Sequence, residues 1–139
     1  MNIKTLALLA ASALLSSACT DTKKQEKDAL NDVIKIHDEA MAKDEQAVKN
    51  KMLLDSLIKN KTITDTVQSG VAIKALTEAD QGMEKWMHQF NADYTGKSHE
   101  EIIQYLHDQK KQVNQMNQRL TEAVNQSNQV ITTTKNEIN

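Results

Sequence analysis

The sequence predicts an all-α protein, an up-down-up antiparallel bundle of three long helices that follows a signal peptide. Three observations lead to this prediction. From Ala29 onward the chain contains no proline, so its composition does not interrupt a long helix. Apolar residues recur at three- and four-residue spacing over three stretches, and no alternating strand pattern competes with them. Only two short polar segments separate these stretches, and short connections make consecutive helices antiparallel neighbours.

Residues 1–18 are predicted to be a signal peptide. Lys4 precedes the apolar run TLALLAASALL, and small residues follow it. The run is too short to span a bilayer as a helix, which takes about 20 apolar residues. A helix of the core is the alternative, but a core helix seldom lacks charge on every face, so the pattern favours export.

Cys19 is the single cysteine of the chain and therefore cannot form an intramolecular disulfide. The segment LSSAC resembles the lipobox of bacterial lipoproteins, in which the cysteine is acylated and becomes the new N-terminus. Ser16 stands where a leucine is usual, and Ser16 with Ala18 also forms an ordinary cleavage site that would leave Cys19 as a free thiol. We expect a lipid anchor at Cys19, because an exposed unpaired thiol is a liability in an oxidising compartment.

The segment after the anchor is polar. Residues 20–28, TDTKKQEKD, lack apolar periodicity, so residues 19–28 are expected to be the acylated cysteine and a tether, and residues 29–139 the helical bundle. Cleavage before Cys19 removes Lys4 and leaves 16 basic against 19 acidic residues. This acidic balance argues against nucleic acid as a partner.

Helix one is expected from about Lys27 to about Lys59. Its apolar stripe contains Leu30, Val33, Ile34, His37, Met41, Val48, Met52 and Leu57. Helix two is expected from Thr66 to Asn91, after a capping box formed by Asp65 and Gln68. Its stripe contains Ala72, Leu76, Ala79, Met83, Trp86, Met87 and Phe90.

Helix three follows a second turn, in which Gly96 can adopt a left-handed conformation and Ser98 forms a capping box with Glu101. Mostly apolar residues recur there in steps of four and three, a seven-residue repeat that is typical of a coiled coil and able to support self-association. The positions of this repeat are Ile102, Leu106, Gln109, Val113, Met116, Leu120, Ala123, Ser127 and Val130. The outer face is rich in Asn and Gln. A solvated face is the simpler interpretation, and a contact surface for an envelope protein is the alternative.

Pairing about the two turns brings one histidine, three methionines and the aromatic residues to the same end of the bundle. The expected cluster contains His37, Met41, Met83, Trp86, Met87, Phe90, Ile102 and Tyr105. The structural interpretation is a small satellite core in which methionines fill gaps between rings, and apolar stripes at helical spacing usually are core.

The functional interpretation of this cluster is a copper site. His37 and Met41 are four residues apart, as are Met83 and Met87, so two helices could each offer a pair of ligands to one layer. Imidazole and thioether ligands select Cu(I) over hard cations. Under this interpretation the protein is a periplasmic Cu(I)-binding protein, whereas under the structural one it needs no cofactor.

The segments IHDEAM, MEKWMHQF and EEIIQYLHDQKKQV resemble those of a group of small lipoproteins from Bacteroidota often labelled "viral A-type inclusion protein". The resemblance covers most of residues 30–115 and implies no established activity. It marks matched positions of unknown role, namely His37, Asp38, Glu39, Met41, Met83, Trp86, Met87 and Tyr105. The residues after Cys19 do not closely resemble the acidic export tag of surface lipoproteins in this group, which favours a bundle facing the periplasm.

Enzymatic chemistry is not indicated. None of the four histidines has a carboxylate three residues before it, as a di-iron bundle requires. Asp38 and Glu39 are adjacent and point in different directions on a helix, and no nucleophile with a positioned base is visible. We therefore expect a membrane-anchored envelope lipoprotein with a non-enzymatic binding or structural role. Regulation of an envelope enzyme is a third hypothesis, which the sequence does not separate from the first.

Overall fold

Three helices that pack against one another make up the fold, and the predicted three-helix bundle is confirmed. The computed structural model describes the backbone of residues 3–63 and 65–138 and the side chains of residues 21–63 and 65–136. Helix α1 spans Ile3–Lys59, α2 spans Thr66–Gln89 and α3 spans His99–Ile138. Over these described ranges there is no strand.

Contacts between the helices define their directions. His37 of α1 faces Trp86 of α2, and Asp44, further along α1, faces Asp80, nearer the start of α2, so these helices are antiparallel. By contrast α1 and α3 run parallel: Glu26 contacts His99, Lys43 contacts Asn117 and Asn50 contacts Asn128. Helix α1 thus packs against both of the others.

The two turns use the predicted caps. The Gln68 backbone N–H donates to Asp65 Oδ1 over 2.9 Å, which caps α2. Ser98 and Glu101 form a reciprocal box, because the Ser98 N–H donates to Glu101 Oε2 over 2.7 Å and the Glu101 N–H donates to Ser98 Oγ over 3.3 Å. Gly96 has φ 79°, the left-handed conformation that glycine adopts without steric cost.

The core stripe of α1 differs from the predicted one. Buried residues recur every seven positions, namely Val33, Ala40, Ala47 and Leu54. Three members of the predicted stripe are exposed instead: Ile34 by 44%, Val48 by 43% and Met52 by 67%. Two alanines at the seam explain the difference, because their small side chains let neighbouring helices approach closely and leave larger apolar side chains on the flank.

The stripes of α2 and α3 agree with the sequence. In α2 the predicted positions from Ala72 to Trp86 are buried, Phe90 is half-buried and only Met87, 40% exposed, lies outside. Every predicted position of the α3 repeat, from Ile102 to Val130, is buried or half-buried. Burying a leucine such as Leu106 or Leu120 stabilises the fold by about 1.5–3 kcal/mol.

One layer between α1 and α3 is polar. The Asn50 side chain, 4% exposed, donates to Ser127 Oγ and to Asn128 Oδ1, each over 2.8 Å, and accepts from Gln46 Nε2 over 2.8 Å. Ser127 in turn donates to the Val124 carbonyl over 2.9 Å. Since every buried partner is hydrogen-bonded, the layer costs little stability and fixes the register of α1 against α3.

The polar segment before the bundle is helical. Residues 20–28, expected to be a tether without helical periodicity, lie inside α1. The His99 ring Nδ1–H donates to Glu26 Oε1 over 2.8 Å, so this segment already packs against α3. The local composition could not predict this contact, because His99 lies 73 positions after Glu26 in the chain. In the part of the chain that the structure describes, no helix has the length and hydropathy needed to cross a membrane.

Candidate functional site

A cleft of about 210 Å³ lies between α1 and α2 near the second turn. We call it the histidine–aromatic cleft, and its lining residues are Val33, Ile34, His37, Trp86, Met87 and Phe90. His37 contributes the one ionisable side chain in this lining, and Met87 the one thioether. The cleft is therefore apolar, with a single imidazole on its wall.

Helical spacing places these side chains. Val33 and His37 lie four residues apart on α1, as Trp86 and Phe90 do on α2, so each pair presents itself on one face. The floor is buried, since Val33 is fully buried and Trp86 is 6% exposed. The rim is open, because Met87 keeps 40% of its surface accessible.

A ladder of rings extends from the cleft across all three helices. The ring centroids of His37 and Trp86 are 5.6 Å apart, those of Trp86 and Phe90 5.2 Å, and those of Phe90 and Tyr105 6.2 Å. Tyr94 completes the ladder 6.0 Å from Tyr105 in an edge-to-face arrangement. It contains all four aromatic residues of the chain, and each such contact contributes about 0.5–1.5 kcal/mol beyond area burial. The predicted clustering of aromatic residues is confirmed.

Polar contacts hold three of the rings in place. The Trp86 indole N–H donates to Gln109 Oε1 over 2.9 Å, and the Tyr105 hydroxyl accepts from the Asn91 backbone N–H over 2.9 Å. The His37 ring Nδ1 lies 3.3 Å from Asp38 Oδ1. The Tyr94 hydroxyl is buried without a hydrogen-bond partner, and burial, followed by the neighbouring Tyr105, raises the pKa of Tyr94 above its usual value of 10.0.

Two of the four sequence-predicted metal ligands line the cleft and two do not. His37 and Met87 line the cleft. Met83 is fully buried in the core, and Met41 is half-buried against the core, so neither is among the lining residues. Among the side chains of residues 21–63 and 65–136, no three His, Cys, Asp or Glu groups are placed to hold a metal ion.

The other matched positions have distinct surroundings. Asp38 is exposed and contacts His37, whereas Glu39 is exposed on the outer side of α1. Trp86 and Tyr105 belong to the ring ladder. The proposed lipidation residue, Cys19, and the predicted signal peptide have side chains outside the described residues.

Sequence reasoning missed a pair of carboxylates between α1 and α2. Asp44 Oδ1 is buried without a hydrogen-bond partner, and the carboxyl of Asp80 lies beside it. Burial, then the charge of Asp80, raises the pKa of Asp44 above its usual value of 3.8. The signal that could have found this pair is its register, because Asp44 and His37 are seven residues apart on α1 and both face α2.

A second groove, of about 510 Å³, lies at the opposite end of the bundle between α2 and α3. Val67 and Val71 form its apolar side, with 75% and 52% of their surfaces exposed. Gln126 and Gln129 of the Asn- and Gln-rich face of α3 form the other side. Part of that face therefore borders exposed apolar surface rather than water alone.

Comparison with protein-family models, with curated proteins and with solved structures finds no match to this chain.

Proposed function

We propose that this chain is an exported lipoprotein, anchored through Cys19 to a membrane of the cell envelope, whose bundle faces the periplasm and has a non-enzymatic binding role. The anchor rests on the sequence, in which a charged start, an apolar run and LSSAC stand in the order of a lipoprotein signal. The resemblance to small lipoproteins over most of residues 30–115 supports the same proposal.

The observation that carries the binding role is the histidine–aromatic cleft. A cleft lined by rings and a thioether beside one imidazole has the composition of small binding sites, which are mostly apolar with a few polar groups. Its floor is fixed by the core and its rim is open, so a ligand can enter without unfolding the bundle. The lining offers one ionisable group, His37, and no nucleophile for it to activate, which favours binding over catalysis.

The anchor is tested by expressing the full chain in a bacterium supplied with an alkyne-labelled fatty acid. We expect label on the wild type and none on a Cys19→Ser variant, with the wild type in the membrane fraction and the variant released. Ser17→Ala is the matched control, because it changes a neighbouring small residue and leaves the cysteine in place. An unlabelled mature protein whose N-terminal residue is Cys19 with a free thiol would show ordinary signal cleavage and refute the anchor.

A further inference from the structure

We propose that the histidine–aromatic cleft binds Cu(I) through His37 Nε2 and Met87 Sδ, beside Trp86. This inference gives a ligand class to the binding role proposed above. It replaces the four-residue set expected from sequence with the two soft ligands that line one cavity.

The first step concerns the state of His37. His37 Nδ1 lies 3.3 Å from Asp38 Oδ1, and a carboxylate can only accept a hydrogen bond, so this contact favours the tautomer with the ring proton on Nδ1. The other nitrogen, Nε2, then carries the lone pair that a metal requires. A carboxylate that orients a histidine in this way is the usual outer partner of a metal-bound imidazole.

The second step concerns the class of metal. Imidazole and thioether are the ligands that select Cu(I), whereas Mg²⁺ and Ca²⁺ take oxygen ligands and structural Zn²⁺ takes a closed set of Cys and His. The lining contains no carboxylate and no cysteine. Mg²⁺ and Ca²⁺ therefore find no oxygen ligand among the lining side chains and Zn²⁺ finds only His37, while Cu(I) finds both an imidazole and a thioether.

The third step concerns the wall of the cleft. The Trp86 ring lies 5.6 Å from the His37 ring and is held in orientation by its hydrogen bond to Gln109. A cation above an indole face, within about 6 Å of its centroid, is attracted by the ring quadrupole. An ion on His37 that came this close to the Trp86 ring would gain such an attraction, and it would change the fluorescence of Trp86.

The test is a Cu(I) titration of the full chain in detergent, without oxygen and against a competing chelator, in a Cys19→Ser background so that a thiol does not bind the ion. Trp86 is the only tryptophan, so its fluorescence reports the cleft. We expect one Cu(I) per chain with quenching of this fluorescence. Met87→Leu and His37→Gln should each weaken binding by at least about tenfold, as should Asp38→Ala, which removes the outer partner.

The chain offers a matched control for each ligand. Met52→Leu is the control for Met87→Leu, because Met52 is also exposed and lies about 22 Å beyond His37 along α1. His107→Gln is the control for His37→Gln, because His107 is exposed and also contacts the aspartate that follows it. Both should bind Cu(I) as the background protein does. Met83→Leu should also bind normally, since Met83 lies in the core.

The proposal would be overturned if no Cu(I) were retained against the chelator, if Met87→Leu kept the affinity of the background protein, or if Met52→Leu lost as much affinity as Met87→Leu. Loss of binding in Met83→Leu, with its thermal unfolding unchanged, would reject the two-ligand cleft in favour of the four-residue set. Because leucine keeps the volume of methionine, and Met87 is 40% exposed, Met87→Leu should fold like the background protein. None of these results depends on the lipid, so a failure of the anchor and a failure of the copper site are distinguishable.

Discussion

Replacing Asp44 by asparagine should stabilise the bundle at neutral pH by about 1 kcal/mol. Asp44 Oδ1 is buried without a donor, beside the carboxyl of Asp80 on the neighbouring helix. Two unit charges 4 Å apart repel by about 4 kcal/mol at an effective dielectric constant of about 20. Both side chains are half-buried and keep part of their surface in water, so we reduce this ceiling to about 1 kcal/mol. Asparagine has the same shape, removes one charge and donates an N–H to Asp80.

The gain should depend on pH in a defined direction. Burial and Asp80 raise the pKa of Asp44 in the folded chain, so the folded state binds the proton more tightly than the unfolded state. The resulting stabilisation of the wild type is fully present below the ordinary pKa of 3.8 and is lost as the pH rises through the raised value. The advantage of Asp44→Asn should therefore be largest near pH 7 and shrink towards about pH 4.

The assay is urea unfolding of the wild type and the variant across this pH range, compared as a difference in the free energy of unfolding. The difference is needed because neighbours lower the pKa of other carboxyls, such as Asp32 beside Lys110, and these lose stabilisation as the pH falls. Asp28→Asn, an exposed position on the same helix, is the control and should show no such trend. A variant less stable than the wild type at pH 7, or a difference that is constant with pH, would refute the reasoning.

Three further substitutions test the packing by thermal and urea unfolding. Asn50→Ala should cost about 1–2 kcal/mol, because it removes the hydrogen bonds of Asn50 and leaves its space unfilled. Asn50→Leu should be near neutral, because leucine fills that space and Ser127 keeps its bond to the Val124 carbonyl; equal losses in the two variants would contradict this. Gly82→Ala places a methyl group 3.1 Å from Met116 Sδ, the flexible end of a side chain that can shift. Because alanine also favours the helix by about 1 kcal/mol, we expect the free energy of unfolding to rise by about 0.5 kcal/mol. A clear decrease would show that the Met116 sulfur cannot move. Leu120→Ala should cost about 3 kcal/mol, because Leu120 is fully buried, and a cost below about 1 kcal/mol would mean that the core closes over the cavity.

Local signals in the sequence predicted much of the fold. Asp65 and Ser98 were identified as caps from neighbours three residues away, and both caps are present. The seam of α3 was also predicted correctly, because its large apolar residues face only the bundle. In these cases the information lies within a few residues of the feature.

The α1 seam was predicted less well because apolar character alone does not mark the buried face. Val48 and Met52 are apolar but exposed, whereas Ala47 and Asn50 are buried. Asn50 is tolerated inside because Ser127, 77 positions away, accepts its hydrogen bond. The apolar pattern around Asn50 contains no information about a partner that distant in the chain.

The sequence predicted that His37 and the aromatic residues lie at one end of the bundle, and this clustering is confirmed. Antiparallel pairing of α1 with α2 was enough to bring His37 to Trp86, which the ring contact confirms. The i, i+4 rule did not show that Met83 would turn into the core while Met87 reached the rim. Their difference follows from the direction of α1 relative to α2, which depends on three-dimensional packing.

The unbroken course of α1 fixes the distance between Asp21 and the cleft. From Asp21 to His37 the helix rises about 24 Å, at about 1.5 Å per residue. If Cys19 anchors the chain to a membrane, this part of α1 acts as a rigid helical spacer, whereas its polar composition predicts a flexible tether. The cleft would then lie at most about 24 Å farther from the lipid than Asp21, so a partner that delivers a ligand has to reach it within that distance.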